Sequence, residues 1–175
     1  MGDSLDHLWA GWRSTYIETV TDGRDPTPHA GPPDGDGSLF ERILELDDRA
    51  GYVVHRGPRC SVLLNAYPYT SGHVLVLPNR AAAELDELDA DTFAELFFLV
   101  RQSVGAIRGA YRCEGVNVGL NLGAAAGAGV PEHLHVHCLP RWAGDTNFMT
   151  SVAETRVMPE PLDRSWDKLR AAWPA

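Results

Sequence analysis

The sequence is short of basic residues and of long apolar segments, and each shortage excludes a class of partner. Its 15 lysines and arginines are outnumbered by 24 acidic residues, which gives a formal net charge of −9. Affinity for a nucleic-acid backbone depends on Lys and Arg side chains that neutralise phosphates, so this charge argues against a nucleic-acid partner. No apolar run approaches the roughly 20 residues that a membrane-spanning helix needs. We therefore expect neither a nucleic acid nor a membrane as a partner.

Cysteine is also scarce. Cys60, Cys113 and Cys138 are far apart in the sequence and form no Cys-x-x-Cys pair. Isolated cysteines of this kind are typical of small core residues rather than of disulfides. The N-terminal residues carry acidic side chains and lack the basic-then-apolar pattern of an export signal. These features predict a cytoplasmic protein without disulfides.

Changes in composition divide the 175 residues into four parts. Residues 1–20 place aromatic and aliphatic side chains at helical spacing and predict an N-terminal helical arm. Residues 21–38 are dense in Gly, Pro and Asp, which predicts a mobile linker. Residues 39–142 hold the apolar stretches of a single domain. Residues 143–175 form a C-terminal extension that contains one more helix.

Apolar stretches bounded by turn residues predict five strands in the central domain. They cover residues 52–55, 60–64, 73–77, 116–122 and 134–139. Pro78 is expected to end the third strand and Pro140 the fifth. A long helix is predicted from an N-cap at Asp91 to about Tyr111. Strands and helices do not alternate regularly, which favours the α+β class. The predicted fold is a five-stranded antiparallel sheet with one long helix, plus N-terminal and C-terminal helical extensions.

Three histidines alternate with apolar residues in the fifth predicted strand. His133, His135 and His137 are separated by Leu134 and Val136. Residues two apart on a strand face the same side, so we expect the three imidazoles to line one face of the sheet. Three imidazoles have no packing advantage over Val or Thr. Their physical use is metal ligation, or the transfer of protons and chemical groups.

Three interpretations of this triplet are open. Three histidines can hold zinc with an open fourth position, which would make a His-ligated metal hydrolase. A silent nucleotide sensor would bind a ligand without turning it over. We favour covalent catalysis, because a neutral imidazole is a good nucleophile toward phosphorus and the flanking rings can bind phosphate and move a proton. The small-residue loop at 123–129 could add backbone N–H donors to a phosphate.

These residues resemble the histidine-triad family. The stretch 133–139 matches the family signature, in which three histidines alternate with apolar residues. Residues 72–76 with Pro78 resemble its second block, and Asn65 lies where the family places an Asn that contacts ribose. The chain is most similar to the actinobacterial diadenosine tetraphosphate phosphorylases and to the fragile-histidine-triad-like hydrolases of dinucleoside polyphosphates. Segments 117–123 and 140–148 and the N-terminal arm extend the resemblance over nearly the whole chain.

The resemblance implies a role for each matching residue. His135 would be the nucleophile, with His137 and His133 positioning the phosphate and protonating the leaving group. His73 would hold the triad in its hydrogen-bonded arrangement. The residues expected to bind the substrate are Leu63, Asn65 and Leu75 near the ribose and base, Asn121 near the α-phosphate, and Gly127, Ala128 and Gly129 along the polyphosphate. Trp142, just after the strand, could cap a nucleobase.

The activity implied is cleavage of a phosphoanhydride at the α-phosphate through a covalent nucleotidyl-histidine in the catalytic domain, residues 39–142. Phosphorolysis of diadenosine tetraphosphate is the main expectation, and hydrolysis of another nucleotidyl conjugate is the alternative. No tightly bound cofactor is expected, with Mg or Mn accompanying the polyphosphate. The sheet is expected to continue across a homodimer or a higher homo-oligomer.

Two departures from the relatives stand out. Residues 38–41 read Ser-Leu-Phe-Glu where some relatives carry a Cys-x-x-Cys zinc site, so no structural zinc is expected. Ala128 and Gly129 stand where the phosphorylases have a Gly-Ser pair, which removes one hydroxyl from the phosphate loop.

Overall fold

The computed structural model describes residues 36–145 and 160–174. The predicted N-terminal arm at 1–20, most of the linker, and residues 146–159 of the C-terminal extension lie outside the described residues. The boundaries predicted for the four parts of the chain therefore stay predictions. The five strands of the sheet and the helices that cover it, described below, lie within these residues.

Five antiparallel strands form a single open sheet. They are β1 (Val53–Arg56), β2 (Cys60–Leu64), β3 (Val74–Pro78), β4 (Gly115–Leu120) and β5 (Val136–Arg141), in the order β1-β2-β3-β5-β4. The two central hairpin strands, β2 and β3, are buried along their whole length, as their Val and Leu content favours. β5 enters between β3 and β4, so the strand that carries the histidine motif has a neighbour on each side. The predicted α+β class with a five-stranded antiparallel sheet is confirmed.

The fifth strand is shifted toward the C-terminus, because it is predicted at 134–139 and spans Val136–Arg141. β5 continues through Pro140 to Arg141, so the expectation that Pro140 ends the strand is wrong. The Arg141 carbonyl accepts from the Glu114 amide at 3.0 Å, which places the backbone of Arg141 toward β4. Successive residues face opposite neighbours, so Pro140 faces the β3 side. β3 begins only at Val74, opposite Cys138, and the missing N–H of proline therefore breaks no ladder hydrogen bond.

Two helices cover one face of the sheet. The first, α2, is the 22-residue helix Ala90–Tyr111, and the second, α3, spans Leu162–Ala172. The N-cap of α2 is Asp89, whose carboxylate accepts from the Thr92 amide at 2.7 Å. The predicted cap, Asp91, is therefore wrong: it lies two residues further on, inside the first turn. Among the described helices, none is long and apolar enough to cross a membrane.

A short helix, α1 (Leu39–Leu44), covers the other face of the sheet and is absent from the sequence-based prediction. It begins at Ser38, whose hydroxyl accepts from the Glu41 amide at 3.2 Å. In return the Ser38 amide donates to the Glu41 carboxylate at 2.8 Å. This reciprocal pair is a capping box, which satisfies two amides at the helix start. Ser38, placed at the end of the linker by composition, is thus a buried helix cap.

The sheet separates two apolar clusters. The cluster under α2 and α3 includes Val54, Val62, Leu64, Val74, Val76, Leu134, Val136 and Cys138. The cluster under α1 consists of Phe40, Ile43, Val53, Leu63, Leu75 and Leu77. Side chains alternate between the two faces along each strand, so the apolar residues of the histidine motif enter the first cluster. The histidines themselves are left on the side of α1.

The tight turn that precedes β3 requires a glycine at position 72. Gly72 has a φ of +81°, and a Cβ atom there would lie 2.3 Å from the Tyr111 ring. Only glycine meets both constraints, because it has no Cβ and tolerates positive φ. The tight turn brings the chain into β3 with His73 directly before the first strand residue, Val74. His73 is thereby buried on the same side of the sheet as the histidine motif.

Candidate active site

Four histidines form a connected cluster at the start of β5 and β3. The ring centroids of His135 and His137 are 4.9 Å apart, and those of His73 and His137 are 5.1 Å apart. His133 joins the cluster through Phe40 of α1, which packs edge-on against the rings of both His133 and His135, at 5.4 Å and 5.0 Å. His133 lies in a bend and His135 in the irregular segment just before β5, and His137 lies within the strand. The fold thus brings together all four histidines proposed as catalytic.

The protonation of His135 is determined by a main-chain acceptor. Its Nδ1 atom lies 2.9 Å from the carbonyl oxygen of His133. A carbonyl can only accept, so Nδ1 carries the proton of the neutral ring. The lone pair is then on Nε2, for which residues 36–145 and 160–174 provide no hydrogen-bond partner. His135 therefore presents a basic nitrogen, which is the form that a nucleophilic imidazole needs.

Both ring nitrogens of His133 are engaged. Nε2 lies 2.8 Å from the Pro78 carbonyl and must donate to it. Nδ1 is then the acceptor, and Ser38 Oγ lies 2.5 Å from it as the donor. The ring is fully buried between the end of β3 and the start of α1. In this structure His133 therefore anchors the segment before β5, rather than presenting a nitrogen to a ligand.

A chain of hydrogen bonds determines the tautomer of His137. The Tyr69 amide donates to Nδ1 of His73 at 3.1 Å, so the proton of a neutral His73 ring is on Nε2. That Nε2 lies 2.9 Å from Nδ1 of His137 and donates to it. A neutral His137 then carries its own proton on Nε2. The Tyr69 ring stacks on His137 at a centroid distance of 5.9 Å and supports this orientation.

Asn65 strengthens the same chain. Its Oδ1 accepts from the Tyr67 amide at 2.9 Å, which identifies the oxygen of the side-chain amide. The Nδ2 group consequently faces Nδ1 of His73, at 3.3 Å. Sequence comparison assigned Asn65 to the ribose, and the structure gives it this contact with His73. The ribose role implied by the resemblance and the observed contact with His73 both place Asn65 at the edge of the histidine cluster.

Burial affects the charge of the histidines. Removal from water lowers the pKa of His133 below its usual 6.5, against a smaller opposing effect of the hydrogen bond to Pro78. Removal from water likewise lowers the pKa of His135, which is 6% exposed. A charged imidazolium is costly in a site of low dielectric constant. Both rings are therefore neutral at pH 7, as nucleophilic attack by His135 requires.

An apolar surface lies beside the cluster. Leu75 of β3 pairs with His137 of β5, and Leu63 of β2 pairs with Leu75. Directly paired residues of neighbouring strands lie on the same face, so Leu63, Leu75 and His137 form a row across three strands. On the other side of β5, His137 pairs with Gly119, which has no side chain. The two leucines predicted near the ribose and base are thus beside the histidines.

The small-residue loop is folded on itself. The amides of Gly127 and Ala128 donate to the carbonyls of Ala124 and Gly123, at 2.9 Å and 3.3 Å. The Asn121 side chain donates to the Gly127 carbonyl at 3.3 Å, which ties the end of β4 to the loop. Two amides of the predicted phosphate loop therefore already have acceptors. A phosphate at this loop would have to use other donors, including those near Gly129, or displace these bonds.

Trp142 is placed away from the histidine cluster. Its ring packs edge-on against Tyr111 of α2, at a centroid distance of 6.3 Å. Tyr111 belongs to the apolar cluster under α2, on the sheet face opposite to α1. Along the strand direction Trp142 follows the alternation of Val136 and Cys138, which also face α2. The structure therefore does not bring Trp142 together with the histidines.

Sequence reasoning missed several residues that contact the histidines. Ser38 and the Pro78 carbonyl bind His133, Phe40 packs on two of the rings, and Tyr69 binds His73. One signal was present in the sequence: the pattern Ser-x-x-Glu at 38–41 is that of a capping box before an apolar run. It predicts a helix start but says nothing about a histidine 95 residues away.

The histidine side chains of the cluster are not arranged as the ligands of a metal ion would be. Within residues 36–145 and 160–174, no group of three or more His, Cys, Asp or Glu side chains is arranged to hold a metal ion. His133 shows the reason, because both of its nitrogens are engaged by Ser38 and Pro78. The geometry favours proton and group transfer over a His-ligated metal hydrolase.

Known proteins share this fold and motif. Residues 49–144 match the HIT domain family. The AP-4-A phosphorylase of Mycobacterium tuberculosis is 39% identical over 171 residues, which cover 98% of this chain and 86% of that protein. An asymmetrical bis(5'-nucleosyl)-tetraphosphatase of Schizosaccharomyces pombe is 36% identical over 53% of this chain and 50% of its own length. A hypothetical histidine triad nucleotide-binding protein of Sulfolobus tokodaii superposes with a TM-score of 0.62 at 31% identity, over 76% of this chain and 89% of that one.

The fold and the histidine cluster define a protein of the nucleotide-binding, group-transfer type. The match over more than half of the chain, together with the long alignment at 39% identity, shows that this chain belongs to the HIT family. The resemblance inferred from the histidine motif is confirmed.

The lowered pKa values predict how stability depends on pH. The unfolded chain takes up protons on these histidines below about pH 6.5, whereas the buried rings resist protonation. The free energy of unfolding should therefore be highest above this pH and decrease as the pH falls, by at most about 1.4 kcal/mol per pH unit for each ring. Urea unfolding at about pH 7.5, 6.5 and 5.5 measures the slope. His135→Asn should flatten it; a slope unchanged by this substitution would show that His135 is not held neutral by burial.

Proposed function

We propose that this protein is a nucleotidyl-transferring enzyme that acts on dinucleoside polyphosphates. The observation that carries this proposal is the state of His135, a neutral ring whose Nδ1 proton is held by a carbonyl and whose Nε2 lone pair is available. The names of the relatives supply the substrate class, because a phosphorylase and a tetraphosphatase both act on such molecules.

In the first step, Nε2 of His135 attacks the α-phosphorus of the substrate. A P–N bond forms, and the phosphoanhydride bond to the leaving polyphosphate breaks. The Nε2–H group of His137 donates a hydrogen bond to the leaving oxygen, which stabilises the negative charge that develops there as the polyphosphate departs. The adduct makes the His135 ring cationic, and its hydrogen bond from Nδ1 to the His133 carbonyl becomes charge-assisted and stronger.

In the second step, an acceptor attacks the same phosphorus and the P–N bond breaks. The electron pair of the broken P–N bond returns to Nε2 of His135, which becomes neutral again, and the acceptor releases its proton to the surrounding water. With inorganic phosphate as acceptor, diadenosine tetraphosphate yields ATP and ADP. With water, it yields ATP and AMP.

We assign the positioning of the substrate to the groups around the cluster. The row formed by Leu63 and Leu75 beside His137 is assigned to the nucleoside, and both side chains are buried under α1 in this structure. Asn121 and the loop at 127–129 lie at the end of β4 and are assigned to the polyphosphate. Mg²⁺ or Mn²⁺ bound to the polyphosphate would offset repulsion by a chain of net charge −9. Catalysis is assigned to the domain at 39–142, in the cytoplasm.

Phosphate is the acceptor that the similarity to the mycobacterial phosphorylase favours. The family resemblance implies a Gly-Ser pair where this chain has Ala128 and Gly129, so one hydroxyl would be missing from the loop. One lost hydrogen bond to a charged phosphate corresponds to about 1.5–3 kcal/mol. Water is therefore retained as the alternative acceptor.

A homo-oligomer is part of the proposal. β4 is an edge strand, and its Val118 side chain is 47% exposed. On α2, Phe93, Phe97 and Phe98 are also exposed, at 43%, 41% and 47%. A strand edge that no other described strand pairs with favours pairing with a second strand, and the exposed apolar side chains of α2 favour association with a second copy. We propose that the sheet continues across a homodimer at β4.

His135→Asn is expected to abolish turnover and to leave folding intact, because the amide retains much of the shape but has no nucleophilic lone pair. Loss of a covalent nucleophile should reduce kcat by at least about a thousandfold. His55→Asn is the matched control, since His55 stacks on Trp173 outside the cluster. Steady-state kinetics and circular dichroism on both variants make the comparison. Full activity of His135→Asn would overturn the mechanism.

Product analysis with diadenosine tetraphosphate, with and without inorganic phosphate, identifies the acceptor. We expect ADP and ATP only when phosphate is present. AMP and ATP at the same rate without phosphate would establish water as the acceptor. Absence of cleavage under both conditions, with tight nucleotide binding by calorimetry, would replace the enzyme by a nucleotide sensor.

The oligomeric state is measured by light scattering on the protein as it elutes from a size-exclusion column. A homodimer should give about 38 kDa, twice the 19.1 kDa of one chain. Val118→Lys places a charge on the β4 edge and should shift the mass toward one chain, while His55→Asn should not. A wild-type mass of one chain at micromolar concentration would contradict the homodimer.

A further inference from the structure

We propose that Ser38 is a positioning residue for the nucleophile. Its hydroxyl fixes the ring of His133, and the main chain of His133 in turn holds His135 in the reactive tautomer. This inference rests on the proposed function, in which His135 is the nucleophile. Ser38 belongs to α1, outside the two sequence blocks that carry the histidines.

The hydrogen bonds of Ser38 leave one consistent set of proton positions. Its Oγ accepts from the Glu41 amide at 3.2 Å and lies 2.5 Å from Nδ1 of His133. The Pro78 carbonyl, 2.8 Å from Nε2 of His133, requires a proton on that nitrogen. Nδ1 of the neutral ring is then an acceptor, so the hydroxyl proton of Ser38 must point toward it. Ser38 thus donates to the histidine while it accepts from its own helix.

The effect reaches His135 by two routes. The residue whose ring Ser38 holds is the same residue whose carbonyl accepts the Nδ1 proton of His135, at 2.9 Å. The ring is anchored at both nitrogens, so it restrains the main chain of His133; a shift of that main chain would move the carbonyl and release the tautomer of His135. Phe40, two residues after Ser38 on α1, packs against the rings of both His133 and His135. The start of α1 therefore determines the position of the two histidines together.

Capping α1 does not by itself require a hydroxyl. An N-cap needs an acceptor for an amide of the first turn, and Asp or Asn serves as well as Ser. Donation to Nδ1 of His133 needs a proton, which a carboxylate lacks. The two duties of Ser38 can therefore be separated by substitution. Ser38→Asp keeps the cap and loses the donor, Ser38→Ala loses both, and Ser38→Thr keeps both.

Asp89→Ala is the matched control for loss of a helix cap. Asp89 caps α2 by accepting from the Thr92 amide, and it also interacts with the Asp91 amide and with Arg59 at the surface. The substitution removes a cap of the same kind from a helix on the opposite face of the sheet. It should lower the stability of the fold without altering the histidines.

Two readouts are made on the wild type and these four variants. Ring ¹⁵N chemical shifts of ligand-free protein report which nitrogens of His133 and His135 carry protons, and kinetics with diadenosine tetraphosphate give kcat and KM. We expect Ser38→Ala and Ser38→Asp to change the His133 ring signals and to lower kcat about tenfold, the effect of one lost hydrogen bond, with KM within about twofold. Ser38→Thr and Asp89→Ala should retain the wild-type ring signals and kcat.

The proposal is overturned if Ser38→Ala keeps both the wild-type kcat and the wild-type ring signals. It is also overturned if Asp89→Ala loses as much kcat as Ser38→Ala, because a lost cap alone would then explain the effect. A wild type that cleaves no dinucleoside polyphosphate would refute the proposed function instead. In that case the ring signals of Ser38→Ala still decide whether Ser38 determines the protonation of His133.

Discussion

The hydrogen bond from Nδ1 of His135 to the carbonyl of His133 is the interaction on which the chemistry of this site depends. It links a side chain to the main chain two residues earlier, so it exists only if the segment before β5 keeps one conformation. That conformation is held from both sides of the sheet. Leu134 and Val136 are buried under α2, while the His133 ring is buried against α1 and the end of β3. The two apolar clusters therefore also define the geometry of the nucleophile.

Burial affects both the charge of the histidine rings and the hydrogen bonds that their nitrogens must form. It keeps the rings of His133 and His135 neutral, because an isolated imidazolium is poorly stabilised away from water. It also makes every unmet hydrogen bond costly, and the structure responds by giving each buried nitrogen of His133 a partner. Asn65 and the Tyr69 amide do the same for Nδ1 of His73. The rings of His133 and His135 are thus neutral, and the carbonyls of Pro78 and His133 determine which of their nitrogens carries the proton.

Local pattern predicted much of the fold, and its failures have specific causes. β2 was expected at 60–64 and occupies Cys60–Leu64, because a run of buried aliphatic residues between turns allows little else. The cap of α2 was misplaced because two aspartates two residues apart have similar propensity, and only the backbone shows that Asp89 is outside the helix. Pro140 was expected to end β5, since a proline normally interrupts a ladder. Pro140 interrupts no ladder hydrogen bond here, because β3 begins only at Val74, opposite Cys138.

The sequence alone determined which chemistry is available, because alternation of histidines with buried apolar residues leaves the imidazoles on the other side of the chain, even though only His137 lies within β5. It also determined membership of the HIT family, through a motif that is local in sequence. Only the tertiary structure decided which nitrogen of each ring holds a proton. The partners of His133 lie 95 and 55 residues away along the chain, at Ser38 and Pro78, and His73 lies 64 residues from His137. Hydrogen bonds over such separations are set by how strands and helices pack, and no local pattern encodes them.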